Sequence, residues 1–264
     1  MDTAARRPAR VADETGRHAV LYPAIAEAAR RMGANAVGLI DVGRRAGFNL
    51  NVDRVAITYV NGPSLGDPSS PVRLTCQIVH SRPVPDRAMP EVAARIGVDR
   101  DPIDVTDPDD ARRLRAGWPP DQDEQHEQLA AEIALAASDP PLLLRGDPIE
   151  TLPDALAQVP ADALPVVTTT WALSRLRPAS RQRFRTRLAD AALTRPIAWV
   201  SAEGVSVAPS IPTLGDRPAS GHSIIGLALF DRSAPPPEGI GRCWSKGRFL
   251  EWLVDSEPGY PGPK

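Results

Sequence analysis

The sequence predicts a three-layer α/β domain with a mostly parallel, seven-stranded sheet and an inserted β-hairpin. Short apolar runs of strand length alternate with helical stretches from residue 36 onward, the pattern of a parallel sheet covered on both faces. The stretch from about 53 to 82 breaks that rhythm with two β-rich runs around the turn-dense NGPSLGDPSSP. The chain has 264 residues, 42% of them hydrophobic, which is enough for one substantial core. Only 5% are aromatic, so that core rests on Ala, Val, Leu and Ile.

Residues 1–14 are polar and read as a flexible N-terminus, 15–255 as the single domain, and 256–264 as a loose Pro/Gly-rich tail. A helix is predicted up to Met32, with Val20, Leu21, Ile25 and Ala28 on one side. Gly33 stops this helix, and Pro23 confines it mainly to the part that follows. Residues 36–42 read as a buried strand, and 55–60 with 72–79 as an antiparallel hairpin. Residues 91–95 read as a short helical piece leading into a strand at 96–99. A helical stretch then reaches Ser138, broken at Trp118-Pro119-Pro120. Strands are expected at 142–144, 164–170, 196–200 and 223–230, and helices at 149–158 and 178–193. Residues 243–253 form a last strand or a short helix.

Composition removes several function classes. With 31 Lys+Arg against 33 Asp+Glu, the net charge is −2, not that of a basic nucleic-acid binder. Only Lys246 and Lys264 are lysines, and GC-rich codon usage accounts for the arginine and proline excess. Arg175, Arg177, Arg181, Arg183, Arg185 and Arg187 read as a solvated helix face opposite Phe184 and Leu188. No apolar run is long enough to span a membrane, and the charged N-terminus has no secretory apolar stretch behind it. Cys76 and Cys243 are far apart, and His18, His80, His126 and His222 are isolated. No disulfide framework or metal site is therefore expected, and the expected compartment is the cytoplasm. The acids from Asp99 to Asp110 lack the Gly and terminal Glu of a calcium loop. A helix start capped by Thr106 with Asp109 explains them more simply.

In a parallel sheet, ligands bind outside the carboxyl ends of the strands. After the first strand stands DVGRRAGFNL, with Asp41, Gly43, Gly47 and Asn49. Glycines at such a turn let a backbone approach a ligand, although they equally serve a tight turn. Asp99, after the next strand, is placed either to hold a ribose diol or to cap a helix. Asp147, after Gly146, has the same two readings, an adenine contact or a cap.

An acid at a strand end followed by spaced glycines resembles the first motif of S-adenosylmethionine-dependent methyltransferases. DVGRRAGFNL, GDPSSPVRL, IGVDRDPIDVTDPDD, the Trp118-Pro119-Pro120-Asp121-Gln122 segment, Glu14-Thr15-Gly16-Arg17 and GRFLEWL resemble the bacterial domain-of-unknown-function family numbered 2332 over about 13–253. The resemblance implies a Rossmann-like methyltransferase fold. S-adenosylmethionine would then be the cofactor and a small molecule the partner. Gly43 and Gly47 would admit the methionine part, Asp41 would orient it, Asp99 would hold the ribose and Asp147 would meet the adenine. The methyl acceptor would lie over Thr169, Thr170 and Trp171, with His222 as a candidate base.

The sequence departs from that family's pattern in four ways. Arg44 and Arg45 stand where small residues are usual. Thr168-Thr169-Thr170 ends the fourth strand where a histidine is usual, and Lys246 replaces a histidine before glycine. The resemblance also carries the expectation of a family member shortened at its N-terminus, without the helical region usual there. The alternative function is therefore a non-catalytic family member that acts as a binding module.

Overall fold

A computed structural model describes residues 15–79, 82–117, 123–233 and 235–254. The chain runs α1 (His18–Met32), β1 (Ala36–Val42), β2 (Ala56–Val60), β3 (Ser64–Gly66), β4 (Arg73–Ile78), β5 (Glu91–Asp99), α2 (Pro108–Ala116), α3 (Asp123–Ser138), β6 (Leu142–Arg145), α4 (Leu152–Ala157), β7 (Leu164–Thr170), α5 (Pro178–Ala191), β8 (Ile197–Gly204), β9 (Ser223–Phe230), β10 (Glu238–Trp244) and β11 (Phe249–Trp252). The expected termini, His80 and the segment from Trp118 to Gln122 lie outside the described residues.

The fold is α/β, but the sheet differs from the expected one. It is a single 11-stranded mixed sheet in the order β3-β2-β4-β11-β10-β9-β8-β7-β1-β5-β6. Two blocks are continuously parallel, β6-β5-β1-β7-β8 at one end of the sheet and the shorter β2-β4-β11 toward the other. β8, β9, β10 and β11 then alternate in direction. The prediction of a mostly parallel, seven-stranded, Rossmann-like methyltransferase sheet is therefore corrected.

Three local features explain the difference. Glu91–Asp99 is one strand along its length, because Val92 and Ala94 alternate with the more exposed Glu91 and Ala93, a period of two. The stretch at 53–82 is not a side hairpin. β2 pairs in parallel with β4, and Gln77 of β4 lies beside Phe249 of β11, so this segment extends the main sheet. β10 has little apolar signal because it carries Gly239 and Gly241. A Cβ on Gly241 would sit 2.6 Å from the Glu251 carbonyl oxygen, so the neighbouring strand's approach requires glycine there.

α1 lies on one face of the sheet, against β7, β8, β9 and β4, and every residue from His18 to Ala29 is buried. Pro23 sits inside it rather than at its start. Proline has no N–H for the carbonyl of Ala19, four residues back. The Tyr59 hydroxyl donates to that carbonyl instead, at 2.6 Å, and so keeps a helix with an internal proline fully bonded on the buried side. Gly33 ends α1 in the left-handed conformation, φ 63°.

The opposite face carries α4 and α5. Phe184 of α5 meets Trp199 of β8 edge-on, with ring centroids 5.8 Å apart, and Leu188 packs into the same cluster. Of the arginines along α5, Arg183 and Arg187 pair with Glu150, and Arg181 donates back to the Leu173 and Leu176 carbonyls. α2 is capped by Asp107, whose carboxylate accepts from the Asp109 and Asp110 N–H groups, not by Thr106, whose hydroxyl donates to Asp104. No helix among the described residues is long and apolar enough to cross a membrane.

Candidate ligand-binding site

The turn after β1 is closed by protein. Asp41 is fully buried and accepts from the Thr168 hydroxyl at 2.7 Å and from Asn49 Nδ2 at 3.1 and 3.2 Å. Asn49 Nδ2 also reaches Thr170 Oγ1 at 3.1 Å. Arg44 turns inward and is buried. Its guanidinium donates to Thr170 Oγ1 at 3.0 Å and to the Thr170 carbonyl. Arg45 instead lies against the loop after β5, where it meets the Asp101 carboxylate at 2.5 Å.

The glycines of this turn face packed side chains. A Cβ on Gly43 would lie 2.6 Å from the Ala172 Cβ, and one on Gly47 would lie 3.1 Å from Leu50. Gly43 N–H donates to the Val98 carbonyl and Ile103 N–H to the Arg45 carbonyl, which zips the turn onto the end of β5 and the chain that follows it. The residues therefore do not fit the sulfonium end of S-adenosylmethionine. Arg44 and Ala172 fill the space where its methionine part would lie.

Of the expected cofactor residues, the structure brings together Asp41 and Asn49. Asp99 and Asp147 have other work. Asp99 accepts from the Asp101 N–H at 2.8 Å, and Asp147 pairs with Arg100 and accepts from the Ile149 N–H. Thr169 is buried and accepts from Trp199 Nε1 at 3.0 Å. His222 is bonded to Asp216 at 2.9 Å and lies tilted against Trp244, with ring centroids 5.2 Å apart. Trp171 is an exposed exception at the end of β7, with φ 56°.

Glu203 of β8 completes the buried network, and the sequence reading missed it. Its Oε1 accepts from the Ala172 and Leu173 N–H groups, each at 3.0 Å. Burial pushes its carboxyl up to about 7, opposed by those N–H groups and by the Arg44 charge. A lone buried acid in a strand of period-two pattern leaves no clear mark in sequence.

The open space lies elsewhere. A cavity of about 850 Å³ opens at the N-terminal end of α1, between β4, α3 and the turn joining β10 to β11. Its floor is the segment from Thr15 to Ala19. Gly16 N–H donates to Glu132 Oε2 at 2.9 Å, and Arg17 N–H donates to Asn49 Oδ1 at 2.7 Å. Gly16 must be glycine, because a Cβ would overlap the His18 imidazole. Asn49 thus joins the cavity floor to the buried network at the strand ends.

Several elements contribute polar side chains to the lining. Arg73, Thr75 and Gln77 share one side of β4 by their two-residue spacing. Glu124, Gln128 and Glu132 share one face of α3 by their four-residue spacing. Ser245 and Lys246 line the rim from the β10–β11 turn in left-handed backbone, φ 46° and 61°. Non-glycine residues hold that conformation only where the surroundings impose it. Below them Gly247 rests on α1, its Cβ position 3.1 Å from Val20.

Two buried titratable groups stand in this lining. His18 is held down to about 3, first by burial and then by the Arg17 charge, so it is a neutral imidazole. Its Nδ1 has no hydrogen-bond partner among the described residues. Burial pushes Glu132 up to about 7, against the Gly16 N–H and the Gln128 amide that favour its ionised form. Among the described residues no group of three or more His, Cys, Asp or Glu side chains is placed to hold a metal ion.

A family model, DUF2332, described as an uncharacterized protein conserved in bacteria, matches residues 1–252. The chain belongs to the DUF2332 family. No curated protein matches this chain. No solved structure matches it either. Two of the stretches that resemble DUF2332 in sequence, Thr15-Gly16-Arg17 and the one opening at Gly247-Arg248, meet at the cavity. Neither was a predicted site. The signal that pointed to them was the string of family motifs, not the reading of strand ends.

Proposed function

We propose that this DUF2332 protein is a binding module for a small polar molecule, and that the cavity at the N-terminal end of α1 is its site. The observation that carries this reading is the segment from Thr15 to His18. It is fixed from two sides by Glu132 and Asn49, yet its outer side faces about 850 Å³ of open space. That volume lies within the usual range of roughly 300–1,000 Å³ for small-molecule sites. Pre-ordering of such a floor reduces the entropy lost when a ligand is held.

The methyltransferase reading is not adopted. It needs room at Gly43 and Gly47, and protein occupies that room. Asp41, Asn49, Arg44 and Thr170 there bond to one another rather than to open space.

The test is a thermal-shift screen of polar small molecules, S-adenosylmethionine among them, on the wild-type chain and on Thr75→Trp. Thr75 is exposed on β4 and lines the cavity, so an indole there fills the space without entering the core. The reading expects a saturable stabilisation that Thr75→Trp abolishes. A ligand present at 100 times its Kd adds about 2.7 kcal/mol. A stabilisation by S-adenosylmethionine that survives Thr75→Trp contradicts it.

A further inference from the structure

One edge of β4 is paired over only half its length, and the open half faces the cavity. β2 pairs with β4 from Arg73 to Gln77, whereas β11, on the other side, meets only Gln77 and Ile78. Gln77 N–H donates to the Arg248 carbonyl at 2.7 Å, and Val79 N–H donates to the Leu250 carbonyl at 2.8 Å. In a parallel ladder a residue turns both its N–H and its C=O to one neighbour, and the next residue turns them to the other. Thr75, two residues before Gln77, therefore turns both groups toward the β11 side, and so does Arg73. Among the described residues no strand meets them there.

The turn that enters β11 is the reason. Ser245 and Lys246 stand in left-handed backbone, φ 46° and 61°, which carries the chain off the line of the strand. A continued ladder would give the Arg248 N–H to the Thr75 carbonyl. That N–H goes back to the Ser245 carbonyl instead, at 3.3 Å. The cavity takes the place of the missing length of strand. Its lining joins Leu74, Thr75 and Gln77 of β4 to the turn from Ser245 to Arg248, and Thr75 is exposed. Main-chain donors and acceptors repeating at strand spacing match one chemistry above others, another extended main chain.

We propose that the cavity receives a short extended peptide, which adds to the open edge of β4 at Thr75, in line with β11. The inference rests on the binding reading above and names its ligand class. The open edge from Arg73 to Thr75 spans roughly 10 Å at the usual strand rise of ~3.3 Å per residue. A segment of three or four residues meets it. Thr75, Gln77, Gln125 and Gln128 line the space, so polar side chains suit the segment. Main-chain pairing supplies the affinity, and the lining side chains supply the choice among sequences.

The experiment is a titration of the full chain with a pool of capped tetrapeptides built from Ser, Thr, Asn and Gln, followed by amide NMR and hydrogen exchange. The pool is then repeated with its peptide nitrogens methylated, which keeps the side chains and removes the main-chain donors. The expected result is a saturable shift of the Thr75 amide and about tenfold slower exchange there with the first pool, and neither with the methylated one. Thr75→Pro removes the N–H that faces the cavity and leaves the donors on the β2 side in place, as proline does on a strand edge. It should keep a cooperative melt and weaken peptide binding about tenfold. A Thr75 amide that the first pool leaves unmoved overturns the proposal, and so does equal binding of the methylated pool. Unchanged affinity in a folded Thr75→Pro also overturns it; if that variant does not fold, the methylated pool decides alone. A Thr75 amide that is slow without peptide and speeds up on dilution places a second copy of the chain on this edge, which overturns it too. If the peptide proposal falls, the screen with Thr75→Trp decides separately whether the cavity binds another small molecule.

Discussion

Asn49 Oδ1 accepts the backbone N–H of Arg17 at 2.7 Å, across 32 residues of chain. The same carboxamide donates to Asp41 and to Thr170. One side chain therefore ties the start of α1 to the ends of β1 and β7, and ties the cavity floor to the buried network. Replacing it by Ala leaves the Arg17 N–H and the Asp41 carboxylate without these partners inside the protein. Each such buried group costs about 1–3 kcal/mol. Asn49→Ala is expected to lose about 2–5 kcal/mol in denaturant unfolding, with the Arg17 amide the first to gain hydrogen-exchange rate.

Tyr59 and Pro23 form a second coupled pair. Tyr59→Phe strips the Ala19 carbonyl of its donor and is expected to destabilise by about 1–2 kcal/mol. Pro23→Ala restores an N–H for that carbonyl, so Tyr59→Phe made on that background should be nearly neutral. A double-mutant cycle measures the coupling, and additive effects would contradict the assignment.

Arg44 is the residue that most separates this chain from a cofactor-binding turn. Arg44→Ala removes a buried, hydrogen-bonded cation and the charge that holds Glu203 down. The expected loss is about 3 kcal/mol, read by thermal or chemical melting. In Arg44→Ala/Arg45→Ser, added S-adenosylmethionine should leave the melting temperature unchanged, since Ala172 still crowds Gly43. A saturable rise would show that the arginines alone had closed a cofactor site.

Stability should carry two opposing pH slopes. The Glu132 and Glu203 pKa values are each raised in the folded state, from 4.5 to about 7, so the folded protein holds these protons longer than the unfolded chain. Their contribution is full below pH 4.5 and is lost as pH rises through about 7. The His18 pKa is lowered from 6.5 to about 3, so its contribution is full above 6.5 and is lost as pH falls toward 3. Between pH 4.5 and 6.5 His18 opposes the two carboxyls. Glu132→Gln keeps an acceptor for Gly16 and removes one of the two carboxyl contributions, leaving that of Glu203. Urea midpoints across pH 4 to 8 should then fall less steeply with rising pH than those of wild type and show a gain over wild type at pH 8.

Much of the fold was legible because each signal was local. The period-two pattern of β2 and β4, the apolar run of β1 and the Gly33 stop all depend on neighbours in sequence. What failed was non-local. Nothing near Arg73 says that β4 lies beside β11, and the glycines of β10 hide a strand whose reason is the Glu251 carbonyl. Pro23 was expected to delimit α1, and only a tyrosine from β2 makes its internal place tolerable. At the site, Asp41 and Asn49 were singled out and do meet, but as partners of each other. The cavity was invisible to a rule about strand ends, because its floor is a helix start and its walls come from α3, β4 and the β10–β11 turn.

The most direct test is amide chemical-shift mapping of the wild-type chain, titrated in parallel with the polar small molecule that gives the largest thermal shift and with S-adenosylmethionine. The account predicts that the first moves Gly16, Arg17, His18 and Gly247, and that S-adenosylmethionine leaves Gly43, Gly47 and Asp99 unmoved. Saturable shifts at Gly43, Gly47 and Asp99 with S-adenosylmethionine, and none at the start of α1 with any molecule of the screen, would contradict it.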